Sequence, residues 1–110
     1  MTTSLLCVAM LALAGCPAGR EAQPPQPLPP ELRAACALTS HRCTQCHSLD
    51  RVFAAQVGGP LGWRPYVDRM RHQPGSLIPE AETPTLVRCL VFWSFGEAGL
   101  ATLDADGDAP

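Results

Sequence analysis

A pair of cysteines followed by a histidine is the feature of this sequence most able to do chemistry. Cys43 and Cys46 are three positions apart in "HRCTQCHSL", and His47 directly follows the second cysteine. These residue types at this spacing can bind zinc, exchange a disulfide for two thiols, or attach a haem covalently. Other features of the sequence distinguish between these three chemistries.

Two of the three chemistries lack supporting residues. A zinc site needs two further ligands, and the sequence has no second Cys-x-x-Cys and no His-x-x-x-His pair. A thioredoxin-like pair starts a helix that follows a strand, whereas Cys43 and Cys46 follow a segment with helical periodicity. Cys-x-x-Cys-His is the attachment signature of c-type haem, because its two sulfurs reach the two vinyl groups on one porphyrin edge and the histidine binds iron. We therefore predict covalent haem at Cys43 and Cys46, with His47 as the proximal ligand.

The N-terminal end is typical of an exported lipoprotein. Residues 1–15 form an apolar run without a charged side chain, shorter than the ~20 residues that span a membrane. The run ends in Leu13-Ala14-Gly15-Cys16, which resembles the lipobox of bacterial lipoproteins. We predict a signal peptide over residues 1–15 and a lipid on Cys16, which would anchor the exported protein to a bacterial membrane facing the periplasm. An ordinary signal peptide containing a cysteine is the alternative.

Composition divides the rest of the chain into a tether, a domain and a tail. Six of residues 17–30 are proline, so we predict an extended tether over residues 16–30. A small folded domain is expected over residues 31–98, and an acidic disordered tail over residues 99–110. The net charge is −2 and the arginines are scattered, which gives no support to nucleic-acid binding.

Helical periodicity and helix-ending residues predict an all-α domain with no convincing strand. Three helices are expected over residues 30–42, 50–57 and 63–72. A fourth, nearly apolar all round, should begin with Thr83 as N-cap and end at Gly96. A core of some 70 residues commonly needs a staple or a cofactor. We therefore predict a small domain of three to four short helices around one covalently bound haem.

A haem iron also needs a distal ligand, or leaves that position open. In the third predicted helix, Trp63, Val67 and Met70 share one face, which places Trp63 in the haem pocket and brings the Met70 sulfur towards the iron. His72 lies about 200° around the helix from Met70 and points away from that face. His41 is too close to the attachment turn to cross the ring. We therefore predict Met70 as the distal ligand, as in the usual Met/His arrangement of electron-transfer haems.

Two further cysteines lie in the first and last predicted helices. In an oxidising compartment we expect Cys36 and Cys89 to form a disulfide. Two buried free thiols acting as small hydrophobic residues are the alternative.

With these residues in place, residues 34–95 resemble a class I-type cytochrome c domain. "CTQCHSLDR", "W..YV.RMRHQPGSLIPEAE" and an apolar last helix are most similar to short haem domains that serve periplasmic dehydrogenases. Haem subunits of sulfite dehydrogenases and of quinohaemoprotein amine dehydrogenases are examples. The resemblance implies one covalent haem c with Cys43 and Cys46 as thioether sites, His47 and Met70 as axial ligands, and Arg51 pairing with a haem propionate.

The expected function is electron transfer by a lipid-anchored monohaem protein, which is a carrier and not an enzyme unless it serves as the haem subunit of a dehydrogenase. Its partners would be redox proteins, either a dehydrogenase or a terminal acceptor, together with the membrane reached through the lipid on Cys16. Two alternatives stay open. One is a haem-based gas or redox sensor with an open sixth site, and the other is a non-haem lipoprotein whose Cys-x-x-Cys is a disulfide or metal site.

Overall fold

Each of the three longer helices begins beside a proline and a single turn of 3-10 helix. The structure is a computed structural model that describes residues 27–107. Because proline fixes φ near its helical value and lacks an N–H, it is well tolerated where a helix starts. The 3-10 turns are Pro30–Leu32, Pro60–Gly62 and Glu80–Glu82, and the helices are α1 (Arg33–Cys43), α2 (Leu49–Phe53), α3 (Trp63–Arg71) and α4 (Thr83–Ala105).

The predicted all-α class is confirmed for the described residues, which contain no strand. The helix after the attachment motif is shorter than predicted, because it ends at Phe53 rather than at residue 57. Thr83 is the first residue of α4 and makes no capping hydrogen bond, so its predicted role as N-cap is wrong. Its hydroxyl is buried without a partner. The signal peptide, Cys16 and most of the tether lie outside the described residues.

The fourth helix was predicted to end at Gly96, but Gly96 only interrupts α4, which continues to Ala105. The φ of 62° and ψ of −156° at Gly96 lie in a region that is open almost only to glycine. The chain folds back there, since Arg88 Nη1 donates to Asp104 Oδ1 at 2.6 Å. In a straight helix these two residues would be about 24 Å apart along the axis, at ~1.5 Å per residue.

The chain beyond Gly96 is not the disordered tail that its acidic composition indicated. Residues 97–105 are helical, and Leu100 and Leu103 are buried in the core. Their spacing of three residues places both on one face of the helix. The acidic residues at this end do not all project freely into solvent, because Asp104 pairs with Arg88 and Asp106 pairs with Arg64. The folded domain therefore continues past residue 98, and residues 108–110 lie outside the described part.

A disulfide joins the first and last helices. The Sγ atoms of Cys36 and Cys89 are 2.02 Å apart, and the two Cα atoms are separated by 5.2 Å. Both residues belong to a core built from α1, α2, α3 and α4. The predicted bridge is thus confirmed, and it fixes α1, which carries Cys43, against the most buried helix.

Residues Glu80–Ala105 are long and apolar enough to span a membrane by length and mean hydropathy alone. Half of the qualifying window is buried inside the protein, and the chain reverses at Gly96 within it. Both features are those of a core helix, and we interpret α4 in that way.

Candidate functional site

One cavity brings four of the predicted site residues together, since Cys43, Cys46, His47 and Met70 all line it. It contains about 660 Å³ of space not filled by protein, part of which is open to solvent. The walls come from the end of α1 and the turn after it, from α2 and α3, from the loop after α3, and from α4.

The greater part of the wall is apolar. Four of the aliphatic side chains also belong to the hydrophobic core, so the cavity is a gap at the edge of that core. Leu77, in the loop after α3, is 61% exposed and marks the side open to solvent. The aliphatic wall consists of Val52, Val67, Leu77, Ile78, Leu86 and Leu90.

The end of α1 positions the attachment motif. Both the backbone N–H and the hydroxyl of Thr44 donate to the Ser40 carbonyl, at 3.2 and 2.7 Å, and these bonds close the last turn of the helix. Cys43 is therefore the last helical residue and is half-buried, whereas Cys46 lies on the following turn and is exposed. The two thiols reach the cavity from neighbouring positions on one wall.

The ring of His47 is held in the tautomer that a metal ligand requires. Its Nδ1 lies 3.1 Å from the backbone carbonyl of Ser48. Because a carbonyl only accepts hydrogen bonds, Nδ1 must carry the proton in this contact. The lone pair of a neutral ring is then on Nε2, which is the arrangement found in most histidines that bind metals.

The environment of Cys43 is unsuited to thiol–disulfide exchange. Burial raises the pKa of its thiol to about 11. Because the thiolate is the attacking species in exchange, a thiol with this pKa is a poor nucleophile at neutral pH. Cys43 and Cys46 are also both free rather than joined to each other. Cys43 therefore does not resemble the low-pKa cysteines of disulfide oxidoreductases.

Met70 is the candidate distal ligand that the structure places at the cavity. It is half-buried on α3, while neither His41 nor His72 lines the wall. The side chain of His72 is 61% exposed, and its Nδ1 lies 2.8 Å from the Asp68 carbonyl on the outer side of the helix. Helical periodicity predicted that Met70 and His72 point to different sides, and the structure agrees.

Trp63 lies behind the cavity wall rather than in it, which corrects its predicted place in the pocket. It is 1% exposed, and its ring meets Tyr66 edge to face at a centroid distance of 5.1 Å. Tyr66 is the residue that lines the cavity. The shared helical face was correctly identified, but Trp63 is at the end of that face that packs into the core.

Arg51 is exposed on α2 and is not part of the wall, so the structure does not place it where the resemblance implied.

Arg42 lines the wall instead, and no pattern in the sequence pointed to it. Its Nε and Nη2 donate to the two carboxylate oxygens of Glu82, at 2.6 and 2.8 Å. This fork-shaped pair lowers the pKa of Glu82 and raises that of Arg42. It joins the end of α1 to the turn before α4 across 40 residues of sequence, a contact that no local pattern predicts.

The donor set fits a haem better than a bare metal ion. Within residues 27–107, no three His, Cys, Asp or Glu side chains come together as a metal-binding group. Two thiols, a histidine and a thioether line the same apolar cavity. A covalently attached haem would use the two thiols for attachment and the histidine and thioether as axial ligands. No protein-family model, curated protein or solved structure matches this chain.

Proposed function

We propose that this chain is a one-electron carrier with a single c-type haem, attached through Cys43 and Cys46. The observation that carries this proposal is that the Cys-x-x-Cys-His turn and Met70 line the same apolar cavity. A haem bound there would supply a reversible one-electron couple at its iron.

Each residue has a separate task in this proposal. Cys43 and Cys46 hold the group by thioether bonds, and His47 offers Nε2 while the Ser48 carbonyl fixes its ring. Met70 offers its sulfur from α3, and a Met/His ligand pair favours a higher potential than two histidines would. No general acid or base is required, because an electron passes without a bond being made or broken.

The cavity is suited to keeping water and charge away from an iron centre. The thioether sulfurs of Cys43 and Cys46 would carry no charge, and burial raises the pKa of Tyr66, so its hydroxyl is not ionised at neutral pH. The charge of Arg42 is matched by the carboxylate of Glu82. Low polarity and the axial ligands are two of the means by which a protein sets a haem potential.

A redox titration of the haem-loaded protein, followed by carbon monoxide, tests the carrier role. We expect a single reversible one-electron step and no rapid binding of carbon monoxide to the reduced form, because Met70 fills the sixth site. Rapid binding would overturn the carrier proposal in favour of a sensor with an open site.

We also propose export and lipid attachment at Cys16, which would hold the domain near a membrane and its redox partner, a dehydrogenase or a terminal acceptor. The sequence Leu13-Ala14-Gly15-Cys16 supports this assignment. In a bacterial host given a labelled fatty acid, the wild-type chain should take up label and enter the membrane fraction. Cys16→Ser should abolish both, while Cys7→Ser, within the same signal segment, should not. Equal labelling of the two variants would reject Cys16 as the lipid site.

A further inference from the structure

The end of the chain forms an element whose packing suggests a further role. Residues 97–105 are helical after the reversal at Gly96, and Asp106 follows them as C-cap. We call residues 97–106 the C-terminal brace. Its Leu100 and Leu103 are buried in the same hydrophobic core as Trp63 and Val67 of α3.

Two ion pairs fix this brace, one to α3 and the other to the part of α4 that precedes Gly96. Asp106 Oδ2 accepts a hydrogen bond from Arg64 Nη1 of α3 at 2.5 Å, and Asp104 Oδ1 accepts one from Arg88 Nη1 of α4 at 2.6 Å. The two pairs have similar exposure, with side chains 26% and 47% exposed in the first and 34% and 46% in the second. Only the first pair connects the brace to the helix that carries Met70.

Helix α3 depends on such contacts for its position. It has nine residues, which is fewer than an isolated helix needs to be stable in water. The segments on either side contain glycines at positive φ, with Gly58 at 71° and Gly59 at 123° before α3 and Gly75 at 76° after it. Glycine at these positions permits the sharp turns by which the chain enters and leaves α3. The position of α3 is therefore set mainly by what packs against it.

We propose that the C-terminal brace positions α3, and with it the Met70 sulfur, for binding iron, with Arg64 and Asp106 as positioning residues. The inference rests on the proposed function. Arg64 and Met70 lie six residues apart on one helix, about 9 Å along its axis at ~1.5 Å per residue. Because α3 is short, a movement of its Arg64 end also moves Met70.

Competition by imidazole for the sixth site of the oxidised, haem-loaded protein measures this effect. Asp106→Asn should raise the affinity for imidazole by roughly fivefold, the most that one partly exposed ion pair usually supplies, while Asp106→Glu should restore the wild-type value. Asp104→Asn is the matched control, because it removes the pair to α4 and leaves the pair to α3 intact. Equal affinities in Asp106→Asn and Asp104→Asn would overturn the proposal.

Amide hydrogen exchange supplies a readout that needs no haem. The amides of Trp63–Arg71 should exchange up to roughly fivefold faster in Asp106→Asn than in Asp104→Asn, because the brace no longer holds the start of α3. The same rate in both variants would overturn the brace whether or not haem is attached. A wild-type protein without covalent haem would reject the proposed function alone, and the exchange rates would still decide the role of the brace.

Discussion

His47 and Met70 line the same cavity, His47 from the turn after α1 and Met70 from α3. No other histidine or methionine among residues 27–107 lines it. One imidazole and one thioether are the axial pair of many electron-transfer haems. This pairing makes Met70 the residue to test as the sixth ligand.

Replacing Met70 should open the sixth coordination site of the haem-loaded protein. In Met70→Ala we expect loss of the weak long-wavelength band of Fe(III)–thioether ligation, a lower reduction potential, and rapid binding of carbon monoxide to the reduced form. His72→Ala is the control, because the His72 ring lies on the outer side of α3 and should leave all three properties unchanged. A wild-type spectrum without the band, unaltered in Met70→Ala, would rule out Met70 as the ligand.

The bridge between Cys36 and Cys89 should contribute strongly to stability. It closes a loop with a sequence separation of 53 residues, for which the chain-entropy model gives about 4 kcal/mol. The double variant Cys36→Ala/Cys89→Ala should lower the free energy of urea unfolding by an amount of that order.

A thiol titration checks the bridge independently. Mature, haem-loaded protein that has been denatured without reduction should show no free thiol, because Cys43 and Cys46 are thioethers and Cys36 is joined to Cys89. Two free thiols in that sample would contradict the bridge.

The pair of Arg42 and Glu82 predicts an acid-dependent loss of stability. The Arg42 guanidinium lowers the pKa of Glu82 from its usual value of 4.5. Because the pKa of Glu82 is lower in the folded than in the unfolded protein, its ionised carboxylate stabilises the fold above pH 4.5. This stabilisation is lost as the pH falls through the folded-state pKa and the carboxyl is protonated. Glu82→Gln should therefore melt at a lower temperature than wild type at pH 7, and the difference should shrink towards zero in acid.

Glu80→Gln is the matched control for this pH dependence. The Glu80 side chain is 85% exposed and lies 3.7 Å from Arg71, so its removal should change the melting temperature little at any pH. A constant difference between wild type and Glu82→Gln across the acid range would contradict the role of the pair.

Features encoded by local sequence were predictable. The Cys-x-x-Cys-His turn depends on a fixed spacing, and the break in α4 at Gly96 depends on a backbone conformation that glycine alone adopts readily. Proline and glycine positions predicted the starts of α1, α3 and α4 and the end of α3 to within a few residues, whereas the predicted end of α4 at Gly96 was nine residues short of Ala105. The side of α3 that carries Met70 followed from helical periodicity alone.

Features that depend on contacts between distant residues were not predictable from one sequence. The acidic composition after residue 98 indicated a solvated tail, but the burial of Leu100 and Leu103 outweighs it once Gly96 directs the chain back onto the core. The pairing of Arg42 with Glu82 requires two elements to meet across 40 residues. The burial of Trp63 in the core, rather than in the cavity wall, likewise depends on tertiary packing.

Covalent haem on Cys43 and Cys46 is the central claim, and a haem stain of denatured protein tests it most directly. The chain would be produced in a bacterium that attaches haem to exported proteins, denatured, separated by electrophoresis, and stained through the peroxidase activity of bound haem. We expect stain on the wild-type band and on Cys36→Ala/Cys89→Ala, and none on Cys43→Ala/Cys46→Ala. An unstained wild-type band of normal abundance, from cells in which another c-type protein is stained, would contradict covalent attachment of haem to this chain.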